Sequence, residues 1–152
     1  MKVKRIATLP TFTKYEEDLT ALIPKYLKKS GCQDELEEIV RSIKLGCHDP
    51  HFSCCVILDE EVLKGFIIAY VWVDYKGKKI MVDHLYAPNM KLAGKVYSMV
   101  VDKLCENFNV DNEDIYFVTY RNPEAWVKFA DKEGYPMNLH GWVLRRHRRR
   151  KY

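Results

Sequence analysis

The chain has 152 residues, 47% hydrophobic and 30% charged, with 25 basic and 21 acidic side chains and a formal charge of +4. A chain of this length buries roughly two thirds of its unfolded surface, so it needs no disulfide or metal staple, and the composition is that of a globular domain rather than a disordered one. The longest apolar stretches are strand-sized, and Met1-Lys2-Val3-Lys4-Arg5 leads into no sustained apolar run; neither a signal peptide nor a membrane span is expected, and a cytoplasmic location follows.

In chain order, Val3 to Leu9 suits a first strand, and Pro10 through Thr13 a turn with Thr13 as helix cap. Tyr15, Leu19, Leu22, Ile23, Tyr26 and Leu27 recur at three- and four-residue spacing up to Ser30-Gly31, which predicts a helix with one apolar face that Pro24 kinks or divides. A second helix over roughly Asp34 to Leu45 presents Leu36, Ile39, Val40 and Ile43 before Gly46 ends it. The pattern then turns extended: Phe52 to Leu58, a polar Asp59-Glu60-Glu61 turn, Val62 to Val73, a Tyr75-Lys76-Gly77-Lys78 turn, and Lys79 to Ala87 make an antiparallel meander.

Pro88-Asn89 breaks that last strand, and Leu92, Val96, Met99, Val100, Leu104 and Phe108 mark a helix from about Lys91 to Asn107. Ile115 to Tyr120 is a short apolar strand. Asn122-Pro123 opens a helix carrying Ala125, Trp126, Phe129 and Ala130, Gly134 stops it, and a last strand lies around His140 to Arg146. The order βααβββαβαβ predicts an α/β domain of the α+β mixed-sheet kind. Its strand, helix, strand unit implies local parallel pairing, with helices on both faces.

The charge is uneven. Arg145, Arg146, Arg148, Arg149, Arg150 and Lys151 crowd the end, and without them 19 basic residues face 21 acidic ones. This divides the chain into a domain, 1–144, and a basic tail, 145–152. The tail either attracts nucleic-acid phosphates by counterion release or is a solvated terminus. Cys32, Cys47, Cys54, Cys55 and Cys105 lack the spacing of a disulfide framework and read as free thiols. The run Cys47-His48-Asp49-Pro50-His51-Phe52-Ser53-Cys54-Cys55 has metal-binding residue types but no CxxC half-site, and adjacent strand residues face opposite ways, so no metal site is assigned.

The chemistry concentrates in Ile80-Met81-Val82-Asp83-His84-Leu85-Tyr86-Ala87-Pro88-Asn89-Met90-Lys91-Leu92-Ala93-Gly94-Lys95-Val96, a strand running into a basic helix start. Unpaired amides and the dipole attract phosphate there, Lys91 and Lys95 add charge, and Gly94 either lets a pyrophosphate approach or serves helix packing. No GxSxG elbow or Walker-type loop appears, which disfavours hydrolase and nucleotidase readings. Trp72, Trp126 and Trp142 sit where core packing is the expected role.

From Val3 to about Leu144 the chain resembles the Gcn5-related N-acetyltransferase (GNAT) family. Lys91-Leu92-Ala93-Gly94-Lys95-Val96 is similar to the family's Arg/Gln-x-x-Gly-x-Gly/Ala pyrophosphate motif, with lysine first and valine last. The segment Asn122-Pro123-Glu124-Ala125-Trp126-Val127-Lys128-Phe129-Ala130-Asp131-Lys132-Glu133-Gly134-Tyr135 is similar to its strand-end asparagine, amphipathic helix and closing Gly-Phe. The resemblance implies an acyl-CoA N-acyltransferase fold, acetyl-CoA as cofactor, and an amine, small or macromolecular, as acceptor. It also implies that the Asp83 to Ala87 strand parts from the Ile115 to Tyr120 strand to admit acetyl-CoA. Backbone groups of Leu85, Tyr86 and Ala87 would line the acetyl group and pantetheine arm, Lys91, Leu92, Ala93, Gly94 and Lys95 would wrap the pyrophosphate, and Asn122 would contact the pantetheine.

For the reaction, a strand N–H near Leu85 would serve as oxyanion donor. His84 is either the general base or a hydrogen-bonded structural histidine, with Asp83 pointing to the other face. Where many family members carry the tyrosine that protonates the thiolate, this chain has Ala130, leaving Tyr97 as substitute acid or core aromatic, and a water relay as the remaining route. A non-catalytic protein of this fold, binding nucleic acid or an assembly partner through the basic end, is the rival reading. A homodimer stays open.

Overall fold

The computed structural model describes residues 1–32, 34–111, 114–118, 123–134, 137–140 and 143–146. Its elements are β1 (Lys2–Arg5), α1 (Leu9–Ser30), α2 (Leu36–Gly46), β2 (Phe52–Asp59), β3 (Val62–Asp74), β4 (Gly77–Tyr86), α3 (Met90–Phe108), β5 (Ile115–Val118), α4 (Pro123–Glu133), β6 (Met137–His140) and β7 (Val143–Arg146).

The first strand is shorter than its apolar run, because helix α1 begins at Leu9. Thr8, not Thr13, is the cap: it is extended, and its Oγ1 accepts from the Thr11 amide at 3.3 Å. Pro10 falls in the first turn, where a missing N–H removes no helical bond. Pro24 does not divide the helix. An interior proline costs about 3 kcal/mol, but Phe12, Tyr15, Leu19, Ile23 and Tyr26 are all buried along one face, and their packing carries α1 unbroken to Gly31. Gly31 closes it in the left-handed conformation, φ 71°, with its N–H donated to the Leu27 carbonyl at 3.1 Å. Gly46 is the last residue of α2 rather than a stop beyond it, and a Cβ there would meet the Phe52 ring at 2.7 Å.

One seven-stranded sheet runs in the order β1-β2-β3-β4-β5-β7-β6. Strands β1 to β4 are antiparallel neighbours, β4 and β5 are parallel, and β5, β7 and β6 are antiparallel. The mixed sheet and parallel step agree with the expectation, but the last strand is two. Leu139 pairs with Leu144 and His140 with Val143, so the segment reverses and pairs with itself, and the order becomes βααβββαβαββ. Arg145 and Arg146 also belong to the sheet, opposite Tyr116 and Ile115, so the boundary drawn at Leu144 cuts through β7.

The sheet separates two apolar layers. On one face α3 and α4 cover Ile57, Ile67, Ala69, Ile80, Val82 and Ile115. On the other α1 and α2 cover Val56, Phe66 and Ile68. No helix among the described residues is long and apolar enough to cross a membrane.

A chain ended at Leu144 loses two rungs of β5–β7 pairing that a chain ended at Arg146 keeps. The shorter chain should therefore melt several degrees below the longer one by circular dichroism; equal midpoints would show that the sheet does not extend to Arg146.

Candidate functional site

The site begins with one extra residue in β4. Ile68 of β3 pairs with His84 and Ala69 pairs with Val82, so Asp83 is a bulge with no partner of its own. Strand side chains alternate, and Ile80 and Val82 lie in the α3 layer. Without the bulge His84 would follow them. With it, His84 turns to the α1 face, while Leu85 and Ala87 pack toward α3 and Tyr86 toward α1.

The last described rung to β5 falls at the same place. The parallel rungs are Ile80–Ile115, Met81–Tyr116 and Val82–Phe117; among the described residues none follows, although β4 continues to Tyr86. The residues that would meet the rest of β4 on this side, 119–122, lie outside the described residues.

Beyond the end of β4, Asn89 caps α3. It is extended, φ −152°, and its Oδ1 accepts from the Leu92 amide at 2.9 Å, while the Ala93 amide donates to the Asn89 carbonyl at 3.0 Å. The amides of Met90 and Lys91 occupy positions that have no carbonyl partner within a helix. A groove of about 1020 Å³ opens there between α3 and α4, lined by Asn89, Lys91, Lys95, Lys128, Phe129 and Lys132 among others. Four lysines and a positive dipole end give it a positive field, with Glu133 the acidic residue of its lining. Lys128 and Lys132 had no place in the sequence reading, although their spacing of four puts them on one face of α4.

Gly94 serves helix packing. A Cβ on it would sit 2.4 Å from the Phe129 ring, so its smallness admits α4 against α3. Ala93 is buried in the same layer and is not among the groove's lining residues, whereas Leu92 is half-buried and lines it.

The α1 face carries a different chemistry. His84 is 4% exposed; its Nδ1 lies 2.7 Å from the Tyr26 hydroxyl and its Nε2 3.1 Å from Asp34 Oδ2. Burial lowers the imidazole pKa, opposed by the charges of Asp83 and Asp34, and so favours the neutral ring. Asp83 alternates away from Val82 onto this same face, not the opposite one as expected. Burial raises its pKa, with His84 lowering it and Asp34 raising it, and its charge adds to the burial that raises the Tyr70 phenol. Tyr86 completes the wall, its hydroxyl accepting from Lys29 Nζ at 3.4 Å.

Tyr97 is fully buried, its ring centroid 5.5 Å from that of Phe117 and 5.4 Å from that of Trp126, and Ala130 is buried in the same cluster. Trp126 is core, but Trp72 is 47% exposed at the far end of β3. Cys54 and Cys55 lie in opposite layers, as alternation requires, and burial raises both thiols. Asn122, Trp142, Arg148, Arg149, Arg150 and Lys151 lie outside the described residues, as do the side chains of Arg145 and Arg146.

No protein-family model matches the sequence, and no curated protein matches it. Solved structures match the fold. A PaiA N-acetyltransferase from Thermoplasma acidophilum in complex with coenzyme A is 13% identical over 99% of this chain and 100% of that one, with a TM-score of 0.60. A predicted acetyltransferase with acetyl-CoA from Clostridium acetobutylicum is 12% identical over 93% and 92%, with a TM-score of 0.63. A ribosomal-protein-alanine N-acetyltransferase from Brucella melitensis biovar Abortus is 16% identical over 93% and 95%, with a TM-score of 0.60. The chain therefore has the GNAT-type acetyltransferase fold.

Because His84 is buried, Tyr26→Phe should leave one ring nitrogen without its hydroxyl partner and cost about 1–3 kcal/mol. Urea unfolding checks this, and an unchanged transition would mean that Tyr26 does not hold the ring.

Proposed function

We propose that the protein is an N-acetyltransferase that moves the acetyl group of acetyl-CoA to a primary amine. The observation that carries this reading is the groove at the start of α3, where free amides and four lysines suit the phosphates of coenzyme A; the part of β4 beyond Val82, which has no β5 rung among the described residues, suits an extended amide-bearing arm. The solved structures of this fold that hold coenzyme A or acetyl-CoA support it.

Acetyl-CoA supplies an acyl group already activated as a thioester. The chain's part is to hold, orient and move protons. The Met90 and Lys91 amides with Lys91 and Lys95 grip the diphosphate, and Lys128 and Lys132 add charge from the facing helix. The edge of β4 at Leu85 to Ala87 hydrogen-bonds the pantetheine arm, and a strand N–H near Leu85 meets the carbonyl oxygen as negative charge grows on it.

The amine comes from the α1 face, where Asp34 and Asp83 attract an ammonium group. Nε2, 3.1 Å from a carboxylate oxygen, carries the hydrogen and donates it to Asp34, while Nδ1 accepts from the Tyr26 hydroxyl; the amine gives its proton to this Asp34–His84 pair through the Asp34 carboxylate. The new N–C bond then forms as the C–S bond breaks. Tyr97 is placed for packing, so the departing thiolate takes its proton from water.

Saturating acetyl-CoA should raise the thermal midpoint, as a ligand of the folded state must; no shift removes the proposal. Replacing Lys128 and Lys132 together by alanine should weaken coenzyme A binding on the order of tenfold, ~1.4 kcal/mol, with a shallower salt dependence, measured by calorimetry. His84→Gln should cut turnover by roughly 10²–10⁴-fold while coenzyme A still binds. Normal turnover in that variant would return His84 to a structural role.

A further inference from the structure

Three side chains of metal-binding chemistry converge where the connection from α1 to α2 crosses the upper part of β4. Cys32 and Asp34 are distant from His84 in the sequence. In the fold, one ligand atom from each, a thiol sulfur, a carboxylate oxygen and a ring nitrogen, lie within 4.8 Å of one another. The Asp34 Oδ2 to His84 Nε2 separation is 3.1 Å. A tetrahedral zinc-type ion, with Zn–S of about 2.3 Å and Zn–N and Zn–O of about 2.0–2.2 Å, sets its ligands roughly 3.2–3.6 Å apart. Side-chain rotation alone closes that difference, and Asp34, whose side chain is 43% exposed, has room to rotate.

Two further features prepare the cluster. The Asp34 amide donates toward Cys32 Sγ at 3.5 Å, a contact that favours the thiolate. The Tyr26 hydroxyl, 2.7 Å from Nδ1, orients the imidazole from behind, as the outer partner of a metal-bound histidine does. Cys32 and His84 are buried, and the half-exposed Asp34 gives the cluster access to solvent. By contrast, the cysteine-rich run from Cys47 to Cys55 is split between the two layers of the sheet.

We propose that Cys32, Asp34 and His84 form a three-ligand site for a divalent transition-metal ion of the zinc class. Thiolate, imidazole and carboxylate together select such an ion over calcium or magnesium. Uptake sends the thiol proton to solvent, thiolate and carboxylate neutralise the dication, and no electrons move. An ion there occupies Nε2 and so shuts the proton path from the amine. That consequence rests on the acetyl-transfer reading; the binding of the ion does not.

Cobalt titration of the full chain, reduced, stripped with chelator and free of acetyl-CoA, tests the site. One equivalent of Co²⁺ should produce the visible bands of a tetrahedral centre and a near-ultraviolet thiolate-to-cobalt band, both bleached by Zn²⁺. Cys32→Ser should remove the near-ultraviolet band, and Cys105→Ser should retain it. Asp34→Asn, a change at a half-exposed residue, should keep the metal-free thermal midpoint and weaken Co²⁺ binding tenfold or more. Absence of cobalt absorption, or a thiolate band that survives Cys32→Ser, overturns the site. A protein that binds cobalt in this way but transfers no acetyl group would leave the metal site standing and remove only the function proposed above.

Discussion

One inserted residue in β4 organises the molecule's chemistry. A regular strand would carry the alternation of Ile80 and Val82 through His84 and bury the imidazole under α3, away from Tyr26 and Asp34. Asp83 adds a step to the backbone without a rung in the ladder to β3. The alternation therefore changes hand, and His84 is delivered to Tyr26 and Asp34 on the opposite face. The last rung to β5 among the described residues, Val82–Phe117, falls at the same point, and a bulge there increases local twist.

The two faces of the sheet carry different electrostatic environments. On the α3 and α4 side a helix start and four lysines present positive charge over a broad groove. On the α1 side Asp34 and Asp83 surround a buried imidazole, and the cost of burying them shows in the raised carboxyl of Asp83 and the lowered pKa of His84. The positive field and the acidic pair thus lie on opposite faces of the sheet, an arrangement compatible with the acyl transfer proposed above.

Packing sets how these elements stand. Pro24 is tolerated inside α1 because five buried side chains on one face hold the helix against the sheet, and α1 must run its full length to bring Tyr26 to His84. Gly94 admits the Phe129 ring between α3 and α4, and so brings Lys128 and Lys132 to the groove that Lys91 and Lys95 line. A residue that resembles part of a phosphate motif acts here through what its absent side chain makes room for.

Much of this was legible in the residues. Apolar spacing located all four helices and the meander, and proline, asparagine and glycine punctuation placed most ends within a few residues, because local periodicity and turn chemistry are properties of neighbouring positions. The strand-to-helix step at Pro88-Asn89 was legible for the same reason, Asn89 being the cap of α3. What the residues could not disclose depends on contacts between distant positions. The division of the final strand into β6 and β7 needs its partner β5, and the hand of His84 needs the ladder to β3. The company of Cys32 and Asp34 needs α1 folded onto the sheet. A chain specifies by itself which residues can face a core, but only the assembled sheet, through its register, decides which of its two faces each residue meets.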